Sequence, residues 1–300
     1  MATALISGVT GQDGSFLAEQ LLAKGHRVVG LHRRLSASNH WRIAHLEGQL
    51  ELRCADLLDL ASLLTVFDDV RPDWVFNLAA QSFIPTSWGQ PLLTGDVTGL
   101  GAARMLEAFR RVVPSGRFYQ ASSSEMFGDT PVSPQDENTG FSPLSPYAVS
   151  KVYAHQMAVN YRRAYGLFVV CGVLFNHESE RRGIEFVTRK ITDGVARIVH
   201  GKAYELVLGD LTPRRDWGFA GDYTVAMQLM LEQNEPQDFV VASGQDRSVE
   251  EFVAAAFAEV DLDWKQYVRS DSALFRKNEL PCLQGDSSRA RALLGWSPKV

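Results

Sequence analysis

Cysteine is scarce. Cys54, Cys171 and Cys282 are the only three among 300 residues, far apart and odd in number. That argues against a fold held by a disulfide framework. Basic residues are not in excess either: the formal net charge is -5, whereas a general nucleic-acid binder would carry a basic surface. No uninterrupted apolar run approaches the ~20 residues needed to cross a bilayer. The first residues, Met1-Ala2-Thr3-Ala4-Leu5-Ile6-Ser7, lack the basic start and long apolar stretch of a signal peptide. The expectation is a cytoplasmic protein with neither a nucleic-acid nor a membrane partner. Internal repeats, low-complexity tracts and Pro/Gly/Ser-rich linkers are also missing. No second His or Cys sits at metal-ligand spacing around His177, so no metal site is expected.

The chain does have the makings of a large core, with 45% hydrophobic and 22% charged residues, ordinary proportions for a globular enzyme. Its length favours two lobes. Strand-length apolar runs fall at Ala4–Ser7, Arg27–His32, Leu50–Cys54, Trp74–Ala79, Arg117–Ser122 and Phe168–Leu174. Amphipathic stretches at Phe16–Ala23, Leu60–Val70 and Leu100–Val112 separate some of them. Continuous apolar strands alternating with helices imply a parallel sheet covered on both faces. The expected class is therefore α/β: a Rossmann-type doubly wound sheet over residues 1–175. A smaller, mixed α/β lobe over 176–300 is expected to follow, with a soft boundary and interwoven segments. Helices are expected there at Phe186–Ile198, Val225–Leu231, Val249–Glu259 and Ser287–Leu294.

Gly8-Val9-Thr10-Gly11-Gln12-Asp13-Gly14 follows the first strand and opens the first helix. Glycines there let the backbone approach a pyrophosphate seated on the helix N-terminus. At the end of the second strand, where a carboxylate would select NAD, stand Arg33 and Arg34. Arginine suits a 2′-phosphate, so NADP is the expected cofactor. The other reading of the pair is a solvated basic patch. Asp56 is placed to receive an adenine amino group or to cap a helix. His177 lines the cofactor pocket or is structural. His40 and His45 read as solvated, and Trp41 and Trp217 as packing residues.

Two segments carry reactive groups: Ala121-Ser122-Ser123-Ser124-Glu125-Met126-Phe127-Gly128 and Tyr147-Ala148-Val149-Ser150-Lys151. Tyr147 and Lys151, four apart on a helix, share a face. An ammonium beside a phenol favours the phenolate, so Tyr147 is expected to act as a base below its ordinary pKa of about 10. Glu125 is a second proton-transfer group. Such a pair can support hydride transfer and also break a C–H bond next to the new carbonyl. Taken alone, Tyr-x-x-x-Lys also describes an exposed helical pair.

These motifs follow one another in the order of the extended short-chain dehydrogenases/reductases. Further blocks narrow the likeness: Asn77-Leu78-Ala79-Ala80-Gln81-Ser82, Phe118 through Gly128, Ser145 through Lys151, and Leu174 through Gly183 with its Asn176-His177-Glu178-Ser179. Phe186-Val187-Thr188-Arg189-Lys190 and Arg215-Asp216-Trp217-Gly218 complete the set. In these blocks the chain resembles the GDP-mannose 4,6-dehydratases along nearly its whole length. The resemblance implies that Ser123 contacts the sugar 4-hydroxyl, Glu125 is the acid/base of elimination, and Tyr147 with Lys151 drives oxidation. It implies NADP contacts by Gly8, Thr10, Gly11, Gln12, Asp13, Gly14, Arg33, Arg34, Asp56, Leu57, Ala79, Ala80, Gln81, His177 and Arg182, besides Tyr147 and Lys151. For GDP-mannose it implies Ser82, Ser123, Ser124, Glu125, Asn176, Val187, Lys190, Arg215, Arg276 and Glu279. It also implies a homodimer or homotetramer. Ser123 stands where the family has Thr, keeping the hydroxyl without the methyl that restricts its rotamer. The stretch from Val268 to Phe275 is shorter than the family's loop. A nucleotide-sugar epimerase or keto-reductase, and a non-catalytic NADP-binding regulator, remain as alternatives at this stage.

Overall fold

A computed structural model describes residues 1–275 and 277–300. The first part of the chain runs β1 (Thr3–Ser7), α1 (Gln12–Ala23), β2 (Arg27–His32), β3 (Glu51–Cys54), α2 (Leu60–Val70), β4 (Trp74–Asn77) and α3 (Ile84–Gly89). It continues through α4 (Pro91–Thr94), α5 (Gly101–Val112), β5 (Arg117–Ser123), α6 (Pro146–Tyr165) and β6 (Phe168–Leu174). The second part runs β7 (Asn176–Glu178), α7 (Val187–Val199), β8 (Leu206–Leu208), β9 (Arg214–Phe219), α8 (Ala220–Glu232) and β10 (Phe239–Val241). It ends with β11 (Asp246–Ser248), α9 (Val249–Ala258), β12 (Val268–Ser270), β13 (Cys282–Leu283) and α10 (Ser288–Leu294).

Seven parallel strands form the main sheet in the order β10-β6-β5-β4-β1-β2-β3. Its strands are apolar on both faces, and each face has its own core. Leu17, Leu21, Phe76, Tyr119, Met227 and Met230 pack on the side of α1 and α8. Leu5, Leu63, Phe67, Phe109, Phe118 and Val169 pack on the side of α2, α5 and α6. Local signals set the helix ends. Asp59 caps α2 by accepting from the Ala61 and Ser62 amides at 3.0 and 3.3 Å. Ser145 caps α6, Pro146 occupies its first turn, and Gly166 closes it in the left-handed region.

The helix boundaries move from those expected. The first helix begins at Gln12, directly on the glycine loop, and α8 begins at Ala220. Asp56 is not a helix cap: Asp59 takes that place, and Asp56 instead accepts from the Leu58 amide at 2.9 Å. After residue 175 the chain does not stay in a separate lobe. α8 lies on α1, where Gln20 receives bonds from Thr224 and Gln228 at 3.0 and 2.7 Å. β10 then pairs with β6 as the edge of the main sheet. Between these returns, β7, β9, β11 and β13 form a small mixed sheet, and β8 pairs with β12. The core of this smaller layer gathers Ile191, Val195, Leu206, Val253 and Phe257. Among the described residues, no helix is long and apolar enough to cross a membrane.

Candidate active site

In an open parallel sheet, ligands bind beyond the carboxyl ends of the strands where the order reverses. Here the reversal lies between β1 and β4. A cavity of about 670 Å³ opens at that place.

The glycine loop forms its floor. Gly8 has φ +75°, and a Cβ there would stand 2.9 Å from the Ala79 nitrogen. A Cβ on Gly14 would meet the Gly8 carbonyl at 2.3 Å. Only glycine permits this tight approach of strand, loop and helix. The loop is also fastened from across the cavity. His177 Nε2 lies 2.9 Å from the Asp13 carboxylate, while its Nδ1 faces the Phe175 carbonyl at 2.7 Å. Both ring nitrogens therefore face acceptors, which selects the doubly protonated imidazolium. Burial disfavours that charge, yet Asp13 outweighs it and raises the His177 pKa. Burial likewise works against the Asp13 carboxylate, but the contact with His177, followed by Arg182, brings its pKa down to about 2. Tyr223 stacks on the His177 ring at 4.7 Å.

The reactive groups gather at the ends of β5 and α6. Ser123 is the last residue of β5, and its Oγ accepts from the Glu125 amide at 3.3 Å. That contact caps a short 3-10 turn over Ser124–Met126, which carries Glu125. Tyr147 lies in the first turn of α6 and hydrogen-bonds with Ser123. Lys151, one turn on, is 5% exposed and donates from Nζ to the Ala121 carbonyl at 2.8 Å.

The expected lowering of the Tyr147 pKa is not what this geometry gives. Lys151 Nζ is 5.9 Å from the centre of the Tyr147 ring and is engaged by a backbone oxygen. Burial pushes Tyr147 up to about 12, Ser123 opposes this, and Glu125 adds to it. Burial also brings Lys151 down to about 8. Dry surroundings outweigh the attraction that spacing alone suggested.

Of the expected cofactor residues, Gly8, Thr10, Gly11, Gln12, Asp13, Gly14, Arg33, Asp56, Leu57, Ala79, Ala80, Gln81, Tyr147, Lys151, His177 and Arg182 line the cavity. So do Ser82, Ser123, Ser124, Glu125 and Asn176 of the substrate set. Arg34, Val187, Lys190, Arg215 and Glu279 do not. Arg215 is buried in the smaller layer, donating to the Leu280 carbonyl at 2.8 Å and pairing with Glu279 at 2.5 Å. Arg276 lies outside the described residues.

Several lining residues escaped the sequence reading. His32 and His40 meet edge to face at 5.3 Å beside Arg33, so His40 is not simply solvated. Its position directly before Arg33 was the available signal for His32. His45 pairs with Glu19. Trp41 is 58% exposed with the Arg42 guanidinium 4.1 Å above its ring, so it is not a packing residue, whereas Trp217 packs on Phe252. Phe83 and Phe186 close the cavity edge to face at 5.5 Å.

The cavity fits a nicotinamide dinucleotide. The glycine cradle leaves no room for side chains, and Gln81 Oε1 is buried at the cavity without a hydrogen-bond partner. Sheet order, glycine loop and the Ser123–Tyr147–Lys151 group define a short-chain dehydrogenase/reductase enzyme of the extended kind. Solved structures share this fold. A dTDP-glucose 4,6-dehydratase from Streptomyces venezuelae, solved with NAD bound, superposes with a TM-score of 0.89 at 23% identity, covering 99% of this chain and 92% of that one. UDP-glucose 4-epimerase from Thermus thermophilus, in complex with NAD, gives 0.87 at 25% identity, with coverage of 99% and 94%.

Sequence comparison narrows the class. The family model for GDP-mannose 4,6 dehydratase matches residues 5–300. GDP-mannose 4,6 dehydratase 2 of Arabidopsis thaliana is 52% identical over 99% of this chain and 83% of its own length. The Homo sapiens GDP-mannose 4,6 dehydratase is 44% identical, with 99% and 87% covered. The chain belongs to the GDP-mannose 4,6-dehydratase family, whose members are lyases.

Proposed function

We propose that the protein dehydrates GDP-mannose to GDP-4-keto-6-deoxymannose using NADP as its resident cofactor. The observation that carries this reading is Glu125 in the same cavity as Ser123, Tyr147 and Lys151. A plain reductase needs no such carboxylate, and family membership places the chain with the dehydratases rather than the epimerases.

The residues divide the work by position. Ser123 holds the sugar 4-oxygen beside Tyr147, which accepts the 4-hydroxyl proton. Tyr147 does so as the phenolate, which a positive charge on Lys151 favours before that proton is taken up. When bound, the dinucleotide supplies a site that takes up a hydride and later returns it. Once C4 is a ketone, the C5 hydrogen is acidified, and Glu125 removes it. The same carboxyl then protonates the departing C6 hydroxyl, so water leaves and Glu125 returns to its starting state. The cavity walls exclude bulk water meanwhile. C5 regains a proton when the hydride is returned at C6, matching the one Tyr147 took from the 4-hydroxyl, so Tyr147 and Glu125 both end as they began and no net oxidation results.

Arg33 at the cavity supports NADP over NAD, since guanidinium suits a phosphate dianion. Arg34 is assigned to the same phosphate from just outside the cavity. Asn176, Lys190, Arg215, Glu279 and Val187, with the residues after 176 generally, are assigned to the sugar nucleotide. A homodimer or homotetramer is supported by exposed Val149 and Tyr153, one turn apart on the outer face of α6. The cytoplasm is the proposed location.

Incubating the purified protein with GDP-mannose and weighing the product tests the reading. Loss of one water without net cofactor consumption is expected. Net NADPH consumption would make it a reductase, and an unchanged sugar nucleotide would remove the activity altogether.

A further inference from the structure

One face of α6 is joined to the sheet at four points, spaced to meet it turn by turn. Tyr147 bonds with Ser123, Lys151 donates to the Ala121 carbonyl at 2.8 Å, and His155 Nδ1 lies 2.9 Å from Ser122 Oγ. Further along, Arg162 grips both Asp238 oxygens at 2.7 Å and the Val169 carbonyl at 3.0 Å. Three consecutive β5 residues, 121 to 123, are thus each held by α6. Two of those contacts belong to the proposed chemistry. The third, between His155 and Ser122, reaches the cavity only through Ser122: His155 is absent from its lining and only 7% exposed.

We infer that His155 is a positioning residue, whose bond to Ser122 fixes the register of α6 on β5 and so delivers Tyr147 and Lys151 to the reacting atoms. The ring has little freedom to do otherwise. Phe141 meets it edge to face at 5.1 Å, and burial lowers its pKa, which favours the neutral ring. Cys171 and Asp238 face it from β6 and from the residue just before β10, and their ligand atoms with those of His155 lie within 4.8 Å of one another. That trio is not free to take a metal ion, because the Arg162 guanidinium already covers both Asp238 oxygens. The positive charge of the cluster is built into the chain. What His155 has left to do is hold a neighbour of Ser123 in place.

The inference rests on the proposed roles of Tyr147 and Lys151. Displacing a reacting group by about 1 Å costs on the order of 100-fold in rate. His155→Leu keeps bulk and burial but removes the bond. It is expected to lower kcat by about 10- to 100-fold with KM nearly unchanged. The loss of activity that accompanies Lys151 deprotonation, near pH 8, should move upward as the ammonium gains water. His155→Asn, which keeps a nitrogen at the Nδ1 position, should restore much of kcat and the wild-type pH profile. Ser122→Ala should reproduce the loss, and the double variant should lose no more than either single one. If His155→Leu folds poorly, Ser122→Ala carries the same expectation with one hydroxyl removed. Wild-type kcat and pH profile in folded His155→Leu or Ser122→Ala, with only a lower Tm, would overturn the inference. Tyr147→Phe runs alongside: full activity in that variant would overturn the proposed chemistry itself.

Discussion

The cofactor end of the cavity and the smaller layer after residue 176 solve opposite problems with charge. At the glycine loop, Arg33 is exposed beside the cavity, and Asp13 with His177 forms an internal pair whose purpose is to fix backbone. In the smaller layer, Arg215 is 5% exposed and already matched by Glu279 and two carbonyls. The first region offers charge to a ligand while the second has spent it on its own loops. An anion arriving at Arg215 must displace Glu279, whereas one arriving at Arg33 displaces only water. On the role proposed for Arg215, substrate binding in the second region is linked to rearrangement of the layer.

The widest gap between the regions should appear in catalysis. Tyr147→Phe removes the group that starts oxidation, and turnover is expected to fall by about 10²–10⁴-fold. Glu125→Gln should lose turnover to a similar extent while still forming some reduced cofactor. Solvent-deuterium exchange at C5, followed together with NADPH absorbance, separates the two. Undiminished exchange in Glu125→Gln would move the base elsewhere.

A smaller effect is expected at the open end. Arg33→Ala with Arg34→Ala removes charge-assisted contacts of about 1.5–3 kcal/mol. The ratio of NADP to NAD affinity, measured by direct titration, should fall by about 10- to 100-fold, since 1.4 kcal/mol is tenfold. An unchanged ratio would mean that the pair is a solvated patch.

The smallest effect is in stability, and its sign depends on pH. Asp13 has a lowered pKa in the fold, so its contribution is complete above the unfolded carboxylate range and lost only as pH falls towards about 2. His177 has a raised pKa, so its contribution is complete below the unfolded imidazole value and lost as pH rises through the folded one. The pair is at full strength in mildly acidic solution. Asp13→Asn should therefore lower Tm more at pH 5.5 than at pH 9. Equal losses at both would show that the imidazolium does not contribute.

The same contrast governs what was legible beforehand. The strands β1, β2, β5 and β6 could be read because they are continuous apolar runs, and apolar runs signal sheets buried on both faces. The strands of the smaller layer are two to six residues long and mostly polar, as in Asn176-His177-Glu178 and Asp246-Arg247-Ser248. Periodicity cannot reveal such elements. β10 also escaped, because three apolar residues carry no pattern of their own. No element is expected from the sequence between Ala79 and Leu100, where Pro85, Gly89, Pro91 and Gly95 interrupt any period, yet the stretch from 84 to 100 is helical for most of its length. In the site, spacing correctly placed Tyr147 and Lys151 on one turn. It could not show that Lys151 is turned to Ala121, nor that burial outweighs charge in setting the phenol's pKa.

The late return of β10 has a consequence for how the chain is made. Synthesis proceeds from the N-terminus, so β6 leaves the ribosome with an unpaired edge while 64 further residues, 175 through 238, separate it from its partner. During that interval Arg162 lacks Asp238, and an apolar strand edge stands open to other nascent chains. Maturation is therefore committed only when residue 241 emerges. Chains interrupted before that point present an adhesive edge rather than a smaller working enzyme.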